Sequence, residues 1–327
     1  MYGIPGFESG GSAEEFDFEH LDETAALEIA DIWFAITATS ATRLDTERDD
    51  TFRIETAHGD RVLKIAHPAD TIAMVDLQLG ALKHAERADA SLPLQRIIET
   101  PGGGLALMLP SGRVACMLEW LPGELLLDAQ TGPAELAGLG DTLGRLSKAM
   151  SGYLNPDAAR LNAWELRTVP RLATILKEVP NAPAAEAIDR FNARVVPHLG
   201  ELPMQVVHND FNPGNVLVDA SVPGFVTGIL DFGDVIYSMR VADLAIALSY
   251  QLFPFGHNWR DLAPMIEAFE RHVPLSELER SLLPTLVAGR FAQRILINQW
   301  LSVQEDDPWD QYEYITSTLA ALLDLES

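Results

Sequence analysis

The segment from Val206 to Asp219, followed closely by Val226 to Asp234, constrains this chain more than any other. The first part reads Val-Val-His-Asn-Asp-Phe-Asn-Pro-Gly-Asn-Val-Leu-Val-Asp, and the second ends Ile-Leu-Asp-Phe-Gly-Asp. The short apolar runs Val206-Val207, Val216 to Val218 and Val226 to Leu230 predict buried strands whose ends present polar groups to a cleft. Pro213-Gly214 forces a turn, which folds Asp210 and Asn215 back toward one space. Asn and Asp oxygens are hard ligands suited to Mg2+, which keeps few protein ligands and takes the rest from water and phosphate. With Asn215 and Asp231 as metal ligands, the Asp210 carboxylate is free to orient a hydroxyl. That is the inventory of phosphoryl transfer. Asx-rich turns are common and Asp-Phe-Gly arises by chance, so either loop alone says little. Both loops in this order point to an enzyme.

The rest of the composition narrows the class. A chain of 327 residues is long enough for two lobes with their own cores. Its formal charge of −25 argues against nucleic acid or an anionic membrane as partner, because neutralising phosphates requires a basic face. The same charge suits a cationic substrate, and simple solubility equally well. A single cysteine, Cys116, excludes an internal disulfide and a thiolate zinc cage, and its apolar neighbours mark it as a small core residue. No eighteen-residue apolar run and no secretory pattern is present, so a cytoplasmic protein is expected. Oligomeric state leaves no signature.

In chain order, residues 1–20 are Gly-, Ser- and acid-rich and read as a flexible tail. Asp22 is an expected N-cap for a helix through Trp33. Strands are expected over Ala35–Arg43, Thr51–Thr56 and Arg61–Ile65, the last two joined by the turn Ala57-His58-Gly59-Asp60. Lys64 sits among apolar residues on an alternating strand, so it faces a lobe interior or a cleft, where an ammonium is costly unless paired. A helix follows from about Thr71 to Ala88, with Ile72, Val75, Leu79 and Leu82 as its stripe. A second hairpin, Leu105–Leu109 with Arg113–Glu119, turns at Pro110-Ser111-Gly112. Helices are expected over 133–153, 163–178, 184–199, 241–253, 259–272 and 275–301. A last one starts with Asp307 as N-cap and Pro308 in the first helical position.

The paired loops, with Asn212 in the first, resemble those of the aminoglycoside phosphotransferase and choline kinase family. These are small-molecule kinases sharing the protein-kinase fold, and the likeness is greatest to its hydroxylysine-kinase-like group. That resemblance implies an α+β, protein-kinase-like fold. It places a β-rich nucleotide-binding lobe with one main helix at residues 21–121 and a helical catalytic and acceptor-binding lobe at 122–327. It implies Asp210 as the catalytic residue, Asn215 and Asp231 as ligands of Mg2+, and Lys64 on the nucleotide phosphates. Lys64 would be held by Asp76, a methylene shorter than the family's Glu, with Glu86 as the fallback partner. Met117 to Gly123 resembles the hinge, where the backbones of Glu119 and Leu121 would read an adenine or guanine ring. Trp120 would stack on that ring or close the gap between lobes. His208 would brace the loop, and Asn212 could touch metal, phosphate or Asp210. Asn209 stands where the family often has Gly, and Asp243 caps its helix or anchors the loop's backbone.

The loop from Leu44 to Phe52 resembles a phosphate-capping motif of the group at Glu47, Arg48, Asp49 and Phe52, with Thr46 and Thr51 as departures. It contains no glycine, so its own chemistry fits an ordinary charged hairpin as well as a phosphate lid. Asp234 and Arg290 are the substrate candidates, Arg290 because a charge on an otherwise apolar helix must be paired inward. The implied activity is transfer of the γ-phosphate of ATP or GTP to an amino-alcohol or hydroxylated amino acid. An aminoglycoside or a choline- or ethanolamine-like acceptor is the alternative. A nucleotide-binding protein without turnover and a metal-dependent hydrolase are the rivals from other classes.

Overall fold

The structure is a computed structural model and describes residues 4, 5, 7, 18–46, 48–305 and 308–325. The N-terminal lobe is built on six strands: β1 (Ser40–Arg43), β2 (Asp50–Glu55), β3 (Arg61–Ile65), β4 (Ile97–Ile98), β5 (Leu107–Met108) and β6 (Val114–Glu119). They form one antiparallel sheet in the order β1-β2-β3-β6-β4, with β5 pairing β6. Alternation along each strand sends side chains to opposite faces. Leu63 and Ile65 join Phe52, Ile54 and Met117 beneath helix α1 (Glu23–Phe34), while Val62, Cys116 and Leu118 face the main core with helix α2 (Ile72–Ala88). The sheet therefore carries a helix on each face, where one main helix is expected. Asp22 caps α1 by accepting from the Ala25 N–H at 2.8 Å, and Thr71 caps α2. β1 is shorter than its apolar run, beginning only at Ser40, because Ala35 takes a left-handed φ of 55° as the C-cap of α1.

The described part of the predicted tail is held against the rest of the chain. Ile4 and Phe7 pack on the main core, and Phe18 lies 4.8 Å beneath the Arg113 guanidinium. Residues 1–3, 6 and 8–17 lie outside the described residues.

β6 leaves the sheet through Trp120-Leu121-Pro122-Gly123 and enters the second lobe. Gly123 has φ 141°, and a Cβ there would stand 2.5 Å from Thr227 Oγ1, so only glycine permits this close approach. β7 (Glu124–Leu125) then pairs β9 (Val216–Val218), which pairs β10 (Val226–Ile229). β8 (Met204–Val207) and β11 (Ile236–Met239) form a separate two-stranded sheet. The turns between these strands carry the polar residues singled out above. A bridge between Leu94 and Ile229, with the Ile229 N–H donating to Pro93 at 2.8 Å, ties the lobes behind the cleft.

The remaining helices are α3 (Pro133–Met150), α4 (Ala182–Arg194), α5 (Ala242–Leu252), α6 (Ala263–Glu270), α7 (Glu277–Glu305) and α8 (Tyr312–Leu325). Residues 166–177 are 3-10 rather than α-helical; Pro170 lies inside the segment and removes an amide donor. Pro308 does not open the last helix, which begins at Tyr312, and Asp307 is outside the described residues. No helix among the described residues is long and apolar enough to cross a membrane.

Candidate active site

The turn after β8 is shaped from below by a buried carboxylate. Asp243, in the first turn of α5 and fully buried, accepts from the His208 N–H at 3.0 Å and the Asn209 N–H at 2.7 Å. Burial pushes its carboxyl upward from the ordinary value, against the pull of these donors and of His208. Asn209 has φ 67°, the left-handed conformation that Asn tolerates better than most residues and that a glycine at this place would adopt freely. His208 Nδ1 accepts from the Asp210 N–H at 3.3 Å, which leaves Nε2 to donate to the Leu230 carbonyl at 3.0 Å. Its ring also meets Phe232 edge-on at 4.9 Å. His208 thus fastens the turn bearing Asp210 to the one bearing Asp231, a bracing duty. Asn212 Oδ1 accepts from the Gly214 N–H at 2.7 Å, so its side chain closes the turn rather than reaching Asp210.

Asp210 and Asn215 meet as their spacing predicts. Asn215 Nδ2 donates to Asp210 Oδ2 at 2.6 Å and to the Asp210 carbonyl at 3.1 Å. With the nitrogen so engaged, Asn215 Oδ1 is the atom left for a cation. Asp231 sits at a left-handed φ of 51°, and its Oδ1 accepts from the Gly233 N–H at 3.0 Å and from Lys64 Nζ at 3.1 Å. Both contacts fall on Oδ1, which leaves Oδ2 for a metal. The charge of Lys64 holds the Asp231 carboxyl below its ordinary range. Among the described residues no cluster of three or more His, Cys, Asp or Glu could hold a metal. One amide and one carboxylate oxygen is nevertheless a fitting donor set for Mg2+, which completes its shell with water and phosphate.

The partner of Lys64 differs from the expectation. Its second carboxylate is Asp49, with Oδ2 at 3.1 Å, not Asp76 or Glu86. Burial alone would lower the Lys64 pKa, but the charges of Asp231 and Asp49 carry it above the ordinary lysine value. Asp76 is exposed on α2, between the inward Val75 and Leu77, so its short side chain is on the wrong face. Glu86 is taken by Lys83 at 3.2 Å and lies 3.9 Å from Arg96.

On the far side of Asp210, Arg290 of α7 brings Nη2 to 3.6 Å from Asp210 Oδ1. Its Nη1 donates to the Trp164 carbonyl at 2.9 Å, the guanidinium lies 4.9 Å from the Trp164 ring, and Nε has no hydrogen-bond partner among the described residues. Arg290 is 2% exposed, an inward charge as its apolar helix requires. Asp234 is half-buried nearby, with Asn162 Nδ2 at 3.4 Å. Arg160 donates to the Gly233 carbonyl at 2.8 Å and the Val235 carbonyl at 3.2 Å, framing the same loop. Burial first, then the charges of Asp210 and Asp231, push the Asp234 carboxyl up to about 6. Asn162, Trp164 and Arg160 were not marked by the sequence. Arg160 and Asn162 precede the expected helix 163–178, and Trp164, expected in its first turn, instead lies on irregular backbone before the 3-10 segment, so no motif signals them.

At the hinge, the Glu119 N–H donates to the Arg96 carbonyl at 2.8 Å and its own carbonyl accepts from Gln95 Nε2 at 3.2 Å. Glu119 therefore keeps only a second carbonyl lone pair for a base, while the Leu121 backbone makes no hydrogen bond among the described residues. The Leu121 side chain nears the C-terminal sheet, since a Cβ on Gly228 would lie 3.1 Å from Leu121 Cδ1. Trp120 lies under Arg53, 4.6 Å from its guanidinium to the ring.

Two unequal α+β lobes of the protein-kinase kind, with Asp210, Asn215, Asp231 and Lys64 brought together where they meet, define an enzyme that phosphorylates an alcohol group of a small molecule. Residues 40–272 match the phosphotransferase enzyme family, and the chain belongs to it. It is similar to hydroxylysine kinase of Danio rerio, 24% identical over 91% of this chain and 89% of that one. It is also similar to homoserine kinase of Gluconobacter oxydans, 26% identical over 78% and 80%. The fold is that of amicoumacin kinase hAmiN, solved with AMP-PNP and Ca2+ (TM-score 0.71, 16% identity, 93% and 94% of the chains). A microcompartment-associated aminopropanol kinase gives a TM-score of 0.67 at 17% identity, covering 92% and 94%.

Proposed function

We propose that this kinase transfers the γ-phosphate of ATP or GTP to the hydroxyl of a small hydroxylated amino acid, with Asp210 as the residue that receives the hydroxyl. Residues 21–121 serve as the nucleotide lobe and 122–327 as the catalytic and acceptor lobe, working in the cytoplasm where nucleoside triphosphates are held. The observation that carries the reading is the placement of Asp210 between the Asn215 amide and the Arg290 guanidinium. Such a carboxylate is fixed in direction, and accepting a hydrogen bond from the acceptor hydroxyl aligns that oxygen on the phosphorus. Asp210 need not be strongly basic, because the proton leaves late in a loose transition state. Lys64 meets the phosphates from the opposite lobe. Asn215 Oδ1 and Asp231 would hold Mg2+, which when bound supplies charge neutralisation on the phosphate oxygens.

The acceptor class follows from the charges beyond Asp210. Asp234 offers a carboxylate to an ammonium, and the Arg290 guanidinium beside Asp210 offers its charge to a carboxylate. A zwitterion could engage both groups, whereas a choline-like cation would use Asp234 alone and leave Arg290 to its contacts with Asp210 and Trp164. The names of the hydroxylysine and homoserine kinase relatives support an amino acid, and that of the aminopropanol kinase supports the amino-alcohol alternative. The test is a coupled ADP- or GDP-release screen over hydroxylated amino acids, amino-alcohols and sugars, run with both nucleotides. The kinase reading expects turnover with an amino-acid acceptor. In Asp210→Asn it expects transfer to fall by roughly 10²–10⁴-fold while Mg-nucleotide still binds. Turnover that ignores nucleotide, or an Asp210→Asn enzyme as fast as the parent, would sink it.

A further inference from the structure

We propose that Asp49, and not an acid on α2, positions Lys64 for the nucleotide phosphates; the inference rests on the kinase reading above. It arises from the register of one hairpin. Asp50 lies opposite Ile65 and Thr51 opposite Lys64. Continuing that antiparallel register sets Asp49 opposite Ala66, so Asp49 and Lys64 are diagonal neighbours on one face of the sheet. Diagonal positions lie about 7–8 Å apart, within reach of a lysine answering a short carboxylate. The sheet itself thus supplies the acid that a helix would otherwise have to bring.

Asp49 is held in place for this duty. Its Oδ1 accepts from the His67 N–H at 2.8 Å, and its Oδ2 stands 3.1 Å from Lys64 Nζ. Its carbonyl takes the Thr46 hydroxyl at 2.7 Å, and the neighbouring Arg48 reaches Asp70 at 3.1 Å. The end of the β1–β2 loop is therefore pinned twice to the turn between β3 and α2. A loop without glycine, fastened in this way, needs no flexible cradle. It offers Lys64 a carboxylate that stays when the phosphates claim the ammonium from Asp231. Lys64 is coupled to the loop over the phosphates and is independent of where α2 sits.

Calorimetry on the full chain with Mg-AMP-PNP, Mg-GMP-PNP and the two free nucleosides tests this. Asp49→Asn keeps an acceptor for the His67 N–H and loses the charge; Asp49→Ser removes the charge with a smaller side chain should the amide disturb folding. Either is expected to weaken the triphosphate analogue about tenfold and leave the nucleoside unchanged. Asp76→Asn is expected to alter neither. In a Lys64→Ala background, Asp49→Asn is expected to add no further loss, because the two act as a pair. Unchanged triphosphate affinity in Asp49→Asn overturns the inference. So does equal loss of nucleoside binding, an undiminished effect without Lys64, or a loss on changing Asp76. A parent protein that binds neither analogue is a different result: it fails the kinase reading itself and takes this inference with it.

Discussion

Asn215 donates one amide nitrogen to both the carboxylate and the carbonyl of Asp210, at 2.6 and 3.1 Å. The same residue that fixes the direction of the candidate base also turns its oxygen toward the cation position. On the proposed reading a single side chain would orient both the base and the Mg2+, so changing it should disturb both.

Asn215→Ala is expected to raise the Mg2+ concentration needed for half-maximal activity by about 10–100-fold and to lower kcat as Asp210 loses its guide. A Mg2+ titration of initial rates checks this. An unchanged half-saturation point would remove Asn215 from the metal.

Asp243→Ala leaves two buried backbone N–H groups without their acceptor. Each orphan costs about 1–3 kcal/mol, partly offset by relief of a buried charge, so a net loss of about 2–4 kcal/mol is expected in a denaturant melt. Activity should fall with it, since the His208 and Asn209 N–H groups set the entry to Asp210. A stability equal to the parent's would show that the carboxylate is not what holds this turn.

Arg290→Lys keeps the charge but gives up the planar fork. KM for an amino-acid acceptor is expected to rise by about tenfold or more, with little change for the matching amino-alcohol or for the nucleotide. Steady-state kinetics on the two acceptors separates the outcomes. Equal losses on both would assign Arg290 to holding Asp210 and Trp164 rather than to a substrate carboxylate.

Asp234 supplies the pH dependence. Its carboxyl is pushed up to about 6, so below that pH it is neutral and above it charged. An acceptor ammonium prefers the charged form, hence kcat/KM for the acceptor should rise as pH increases through about 6 and level off above. Asp234→Asn should abolish that limb while lowering the plateau. A limb that persists in Asp234→Asn belongs to another group.

The two loops were legible because polar clusters between short β-branched runs have few places to go but the ends of strands. The β3 boundaries and the Gly59 turn followed for the same reason. Arg290 was legible as a charge that had to be paired, though its partner was not. Asp49 could have been read as well, since the β2–β3 turn sets a register that places it diagonal to Lys64. Kinship with kinases that use a helix acid pointed to Asp76 instead. Arg160 and Asn162 carried no pattern, and Trp164 read only as the start of a helix that the chain does not form there.

What the sequence by itself determined was the inventory and its order: two acids and an amide at strand ends, an ammonium on an alternating strand, and a family kinship from Ser40 to His272. Which carboxylate answers Lys64, and whose guanidinium faces Asp210, was decided only when the sheets and helices packed. A partly buried charge must pair with an opposite one nearby, and nearness between residues 49 and 64, or 210 and 290, is set by register and helix packing. Composition names the charges; tertiary structure sets the few ångströms that decide which of them interact.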